Sequence, residues 1–179
     1  WHWFWNWGTG ELGNNGVHFL DLARWGLKVD LPGRITCGGN RYFYKDDWQT
    51  PDTIIATFDF GDKGIVWEGQ SCAPRGFEGA TVGVNFYGEK GCLAMAGSNC
   101  TIYDLNNKVL REIKSQPEGL FDFDTAHFGN FLDAIREGKP LKSEIEDGQK
   151  STAMCHLGNI AWRTGRTINF DPQTRKIVG

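Results

Sequence analysis

The sequence predicts an α+β fold built on a large, open, mostly antiparallel β-sheet with helices packed on one face. Three observations predict it. Helical periodicity is confined to the two ends of the chain. The middle alternates apolar and polar residues with the period of a strand. The alternating runs are joined by links such as Gly61–Gly64, Gly88–Gly91 and Asn106–Asn107, which are too short for anything but antiparallel neighbours.

The elements follow in order. Trp1, Trp3, Trp5 and Trp7 alternate with His2, Phe4 and Asn6, which in an extended segment would set four indoles on one face. After a glycine-rich loop, a helix runs from about Asn15 to Gly26, with Val17, Leu20, Ala23 and Leu27 as its core face. Asn14 and Asn15 suit its N-cap, and Gly26 is a plausible stop. A first strand covers 34–44. Residues 53–60 and 65–71 form a hairpin, 81–87 pairs with 92–96, and 100–105 pairs with 108–113. This gives a sheet of five to seven strands. Asp124 opens a second helical stretch to about Glu137, whose apolar stripe is Phe128, Phe131, Leu132 and Ile135. Gly138 and Pro140 end it. Ser143-x-x-Glu146 reads as a capping box for a last helix, 144–164, buried through Ile145, Ala153, Leu157, Ile160 and Ala161. Residues 167–170 close the sheet.

One domain over 1–179 accounts for the length. The net charge of −3, without runs of Lys or Arg, argues against nucleic acid or an anionic membrane as partner. No apolar run approaches the ~20 residues that span a bilayer. Five cysteines with no C-x-x-C read as buried free thiols rather than disulfides or a zinc ribbon. The chain starts at Trp1 and shows no leader pattern, so it reads as cut from a longer protein.

Several groups could carry chemistry. Gly8-Thr9-Gly10-Glu11-Leu12-Gly13 matches G-x-G-x-x-G, but a dinucleotide site needs a buried strand before it and a βαβ unit around it. Neither is in the sequence, so the run reads as a loop that lets backbone approach closely. His18 is the main candidate for proton transfer near neutral pH. On one continuous helix it shares a face with Asn14, Asp21 and Trp25. The same pattern also suits a histidine bonded within its helix for packing. His156 reads as a packed histidine, and no metal-ligand spacing occurs. The tryptophans can stack on sugar C–H faces or simply fill a core.

Residues 8–27, GTGELGNNGVHFLDLARWGL, resemble the opening of the second domain in the Gfo/Idh/MocA family, the relatives of glucose–fructose oxidoreductase and inositol dehydrogenase. GVNFYGEKGCLAM (83–95), HFGNFLDAIREGK (127–139) and HLGNIAWRTGR (156–166) are similar to its later elements. The resemblance covers essentially the whole chain. It implies an N-terminal Rossmann domain, missing here, that binds NAD or NADP and carries a catalytic Lys in a Glu-Lys-Pro motif. It also implies a homodimer or homotetramer formed through the open sheet face, and oxidation of a small sugar or polyol.

The resemblance further makes His18 the catalytic acid/base. Asn14 stands where the family has Asp; an amide can bond a hydroxyl or orient His18 but cannot exchange a proton. Asn15, Glu11, Trp3, Trp5 and Asp21 become candidate substrate-binding residues. The chain alone is expected to be inactive and to bind NAD weakly. The alternatives are glycoside cleavage by transient oxidation, known in the same family, and a non-catalytic carbohydrate-binding module that uses the Trp-rich segment.

Overall fold

Two antiparallel sheets, not one, form the framework of the computed structural model, which describes residues 1–76, 79–97, 99–114 and 122–178. The helices are α1 (Gly10–Asn14), α2 (Gly16–Leu27), α3 (Asp122–Glu137) and α4 (Ile145–Thr164). The strands are β1 (Arg34–Asn40), β2 (Thr53–Asp59), β3 (Gly64–Gln70), β4 (Gly83–Gly88), β5 (Gly91–Ala96), β6 (Asn99–Tyr103), β7 (Val109–Ile113), β8 (Ile168–Asp171) and β9 (Lys176–Val178). The first sheet has the order β3-β2-β1-β8-β9 and the second β4-β5-β6-β7. The α+β class and the antiparallel hairpins agree with the sequence reading. β3 is an edge of the first sheet, and β4 begins a separate meander.

The core lies between the first sheet and α1, α2 and α4. Ile35, Ile54, Ala56, Phe58 and Ile65 point to the helices and are buried against Leu12, Leu20, Met154 and Ala161. The register places Ile35 opposite Phe58 and Phe58 opposite Ile65, so one apolar row crosses three strands. On the outer face Ile55 and Val66 are 48% and 69% exposed.

Glycines set how closely the helices approach. Gly26 lies inside α2 rather than ending it; Phe86 of β4 sits where a Cβ would be. The stop is Lys28, in the left-handed conformation at φ 55°. On α4 a Cβ at Gly158 would lie 2.6 Å from Leu12 Cδ2, so this glycine brings α1 down onto α4.

The last two helices differ from expectation. α4 buries Ser151, Met154, Cys155, Leu157, Gly158, Asn159 and Ala161. Ile145 is 84% exposed and Ile160 37%. Leu157 and Ala161 are buried as expected, but the rest of the stripe is built of small and polar residues and Met, so Ile145 and Ile160 are a poor guide to it. The N-cap is Glu144, and no side-chain cap bond forms, so the Ser143 capping box is absent. On α3 the expected stripe exists, but Phe128, Phe131, Leu132 and Ile135 are 42–66% exposed.

The Trp-rich segment is a run of turns, closed by Trp7 N donating to Phe4 O at 2.9 Å and Gly10 N to His2 O at 2.8 Å. The four indoles therefore do not share a face. Trp3 stacks on Trp48 with ring centroids 3.8 Å apart. Trp5 lies 5.8 Å from Trp162, with the Arg163 guanidinium 4.8 Å from its ring. Trp1 and Trp7 are exposed.

A buried arginine that the sequence reading passed over joins α2 to α4. Arg24 is 4% exposed. Its Nη1 donates to Ser151 Oγ at 2.9 Å and its Nε to Asp30 O at 2.9 Å. Asp21, Asp30 and Asp147 approach it at 3.4, 3.7 and 3.6 Å. Asp52, 1% exposed, organises the 40–44 loop. Its carboxylate accepts bonds from the backbone N–H groups of Tyr42, Phe43 and Tyr44 and from the Thr53 hydroxyl. Burial works against the charge, but these four donors prevail and hold the carboxyl below its ordinary range.

Candidate active site

A cleft of about 380 Å³ opens where the two sheets meet. Its first wall is the α1–α2 corner, through Glu11, Asn15 and Phe19. Its second is the free edge of β3, residues 67–70, continuing into Ser71. Its third is one face of the second sheet. Asn85, Ala94 and Thr101 are direct cross-strand partners there, so small Ala94 stands between two polar residues. Phe19 and Trp67 stack at 6.3 Å between centroids, forming the apolar part of the lining.

The corner exists because the glycine-rich run serves packing. Gly10 has φ +69°, and a Cβ there would lie 2.9 Å from Thr50. The Thr9 side chain fills the space beside Gly13. Asn159, buried on α4, donates to Thr9 O at 2.8 Å. Gly16 faces Trp67, with ring atoms 3.5 Å from the position of a Cβ. This is no nucleotide fingerprint. Turns, not a strand, precede it; α1 has five residues; and the strand pairs of the described residues are antiparallel. The glycine-rich run itself therefore does not fit a dinucleotide.

The candidate residues separate into two groups. Glu11 and Asn15 line the cleft, and the Asn15 amide donates to the Glu11 carboxylate. His18 is exposed, and its ring makes no hydrogen bond among the described residues. It follows Asn15, the N-cap of α2, by three residues, about 60° round the helix, and it is not among the residues that line the cleft. Asn14 ends α1 and is half-buried. The helix breaks at Asn15, which occupies the α2 N-cap position without a side-chain cap bond.

Asp21 faces α4, where its carboxylate accepts from Ser151 Oγ at 2.5 Å and from Arg24, so it steadies α2. Trp3 and Trp5 pack the N-terminal segment and do not line the cleft. Sequence reasoning missed Glu68, Gln70, Asn85 and Thr101. Their outward parity on β3, β4 and β6 was legible, but not that two sheets would turn those faces toward each other.

His156 is exposed rather than packed, and lines a shallower groove of about 620 Å³ over α4 with Leu31, Leu157 and Phe170. The cysteines are free thiols, and burial pushes those of Cys37 and Cys155 up to about 12. Among the described residues no group of three or more His, Cys, Asp or Glu could hold a metal ion, and no helix is long and apolar enough to cross a membrane.

Solved structures share this fold. A protein assigned as an NADPH-dependent oxidoreductase from Desulfitobacterium hafniense superposes with a TM-score of 0.69 at 18% identity, over 90% of this chain and 48% of its own. The Bacillus subtilis protein yvaA, assigned as an oxidoreductase, gives 0.65 at 15%, over 89% and 50%. An oxidoreductase from Agrobacterium radiobacter, solved with NAD+, L-tartaric acid and magnesium, gives 0.63 at 16%, over 86% and 47%. At these identities the likeness is one of fold, and the chain spans about half the length of each structure. A search of curated proteins finds no significant match. Residues 1–179 match the family described as the C-terminal alpha/beta domain of the oxidoreductase family, and the chain therefore belongs to the Gfo/Idh/MocA C-terminal domains.

Proposed function

We propose that this chain forms the substrate side of a nicotinamide-dependent sugar or polyol oxidoreductase, with the nucleotide held by the remaining half of the protein. The observation that carries the reading is the cleft: amide, hydroxyl and carboxylate groups line it beside an aromatic pair at the α1–α2 corner, and His18 is exposed within one helical turn of Asn15. Such a lining suits a ligand with several hydroxyls and C–H faces. The bound nicotinamide supplies the hydride acceptor. This chain orients the hydroxyls through Asn15 and Glu11, and Nδ1 or Nε2 of His18 takes the hydroxyl proton. Asn14 can bond a hydroxyl or the His18 ring, but the proton falls to His18.

Hydrogen exchange on the complete oxidoreductase tests the reading. A saturating sugar or polyol substrate should slow exchange at 11–15, 67–71 and 83–85. Protection confined to other segments would move the substrate elsewhere. We also propose that a second copy covers the outer face of the first sheet around Ile55 and Val66. Light scattering should then report a dimer or tetramer, and a monomer at high concentration would contradict it.

A further inference from the structure

The apolar stripe of α3 is turned away from the chain that carries it. Phe128, Phe131, Leu132 and Ile135 recur at i, i+3, i+4 and i+7 along a helix of 16 residues, the spacing of a helix with one buried face. All four are exposed, and α3 shares no packed interface with another element of the described residues. What holds α3 is its opposite side. Asn130 Nδ2 donates to Pro140 O at 3.0 Å, and Asn130 Oδ1 accepts from Lys142 N at 2.8 Å. Lys139 Nζ pairs with Asp133 and Glu137 at 3.0 and 2.9 Å. Asn130, Asp133 and Glu137 stand about 150–170° round the helix from the midline of the stripe. The link to α4 is thus fastened to the polar back of α3.

The size of the stripe says what covers it. It exposes on the order of 400 Å², half of the ~800 Å² per partner that a stable association of separate molecules buries. A surface on the same polypeptide meets the stripe at an effective concentration in the millimolar range, so there a patch of this size suffices. This chain spans about half the length of the structures that share its fold, which leaves a second body of similar size to supply that surface. Resting on the reading above that this remaining half holds the nucleotide, we infer that the α3 stripe is the docking surface for that half. The surface it meets is apolar and belongs to the same polypeptide, outside residues 1–179, rather than to a second copy.

Photo-cross-linking in the full-length protein tests this. With Phe131→p-benzoylphenylalanine, irradiation should join position 131 to a segment outside 1–179 of the same chain, in a product of monomer mass. A product of twice that mass gives the stripe to a second copy and overturns the inference; so do adducts confined to 1–179, or no adduct at all. Phe131→Ser combined with Leu132→Ser supplies a second measurement. The stripe packs on no other described element, so the pair leaves the described core intact, and circular dichroism checks the fold. The pair should split one thermal transition into two and speed proteolytic cutting between the halves at least tenfold, with the mass by light scattering unchanged. Unfolding and cutting that stay at the wild-type pattern, or loss of the oligomer with the halves still coupled, overturns the inference. A wild type that binds neither NAD nor NADP by isothermal titration overturns the proposed function, while the cross-link still decides the docking.

Discussion

Replacing Gly158 with Ala sets two effects of known sign against each other. Alanine is favoured over glycine inside a helix by about 0.8–1.0 kcal/mol, so propensity alone makes Gly158→Ala stabilising. The new methyl, however, would lie 2.6 Å from Leu12 Cδ2, with Phe58 3.5 Å away on its other side. Leu12 is 1% exposed and packed on its far side, so it cannot swing clear as a surface leucine would. Overpacking of a tight core costs about 1–3 kcal/mol, which exceeds the propensity gain.

The net expectation is a loss of up to about 2 kcal/mol, or at most roughly 8 °C in Tm for a chain of this size. Gly148 is the control. It lies on the same helix, and nothing is within 4 Å of where its Cβ would be. Gly148→Ala should therefore raise stability by about 0.5–1 kcal/mol. Thermal and urea unfolding of both variants give the comparison. If Gly158→Ala matched Gly148→Ala, Leu12 would not be fixed against α4, and the placement of the α1 corner, Glu11 included, would be wrong.

Two other substitutions probe the supports of the site. Asp52→Ala strips four donors of their acceptor and should cost about 2–4 kcal/mol near neutral pH. Because the folded carboxyl is held below its ordinary range, its contribution is complete above the unfolded value of about 3.9 and is lost as pH falls through the folded value. The gap in stability between wild type and variant should therefore close below about pH 4; a constant gap would remove the carboxylate from the explanation. Arg24→Met leaves Asp21, Asp30 and Asp147 facing one another without their shared cation. Their side chains are 53–75% exposed, so solvent screens much of the repulsion, and the expected cost is about 2–3 kcal/mol rather than that of a fully buried pair. Unfolding in 1 M NaCl should recover part of it, and a salt-independent loss would point to packing alone.

What was legible in the sequence was local. The hairpins at Gly61–Gly64 and Asn106–Asn107 carry their own turn chemistry, and α2 declares its face through Leu20 and Ala23. Where tertiary contacts decide, the pattern misleads. Gly26 looks like a helix stop because nothing local shows that Phe86 must pack against it. Alternation over Trp1–Trp7 suggests a strand, yet no partner strand is offered and stacking on Trp48 and Trp162 favours turns. Arg24 gave one usable signal, an i,i+3 carboxylate at Asp21, but Ser151 and Asp147 come from α4, far along the chain. The site was half legible for the same reason. Glu11 and Asn15 lie beside His18 in sequence, whereas Glu68, Asn85 and Thr101 reach the cleft only when β3 and the second sheet meet.

The most direct test of the proposed role of His18 is steady-state kinetics of His18→Gln in the full-length protein. If the His18 imidazole moves the hydroxyl proton, kcat should fall by about 10²–10⁴ while KM stays within a few-fold. A variant that turns over at the wild-type rate would contradict it.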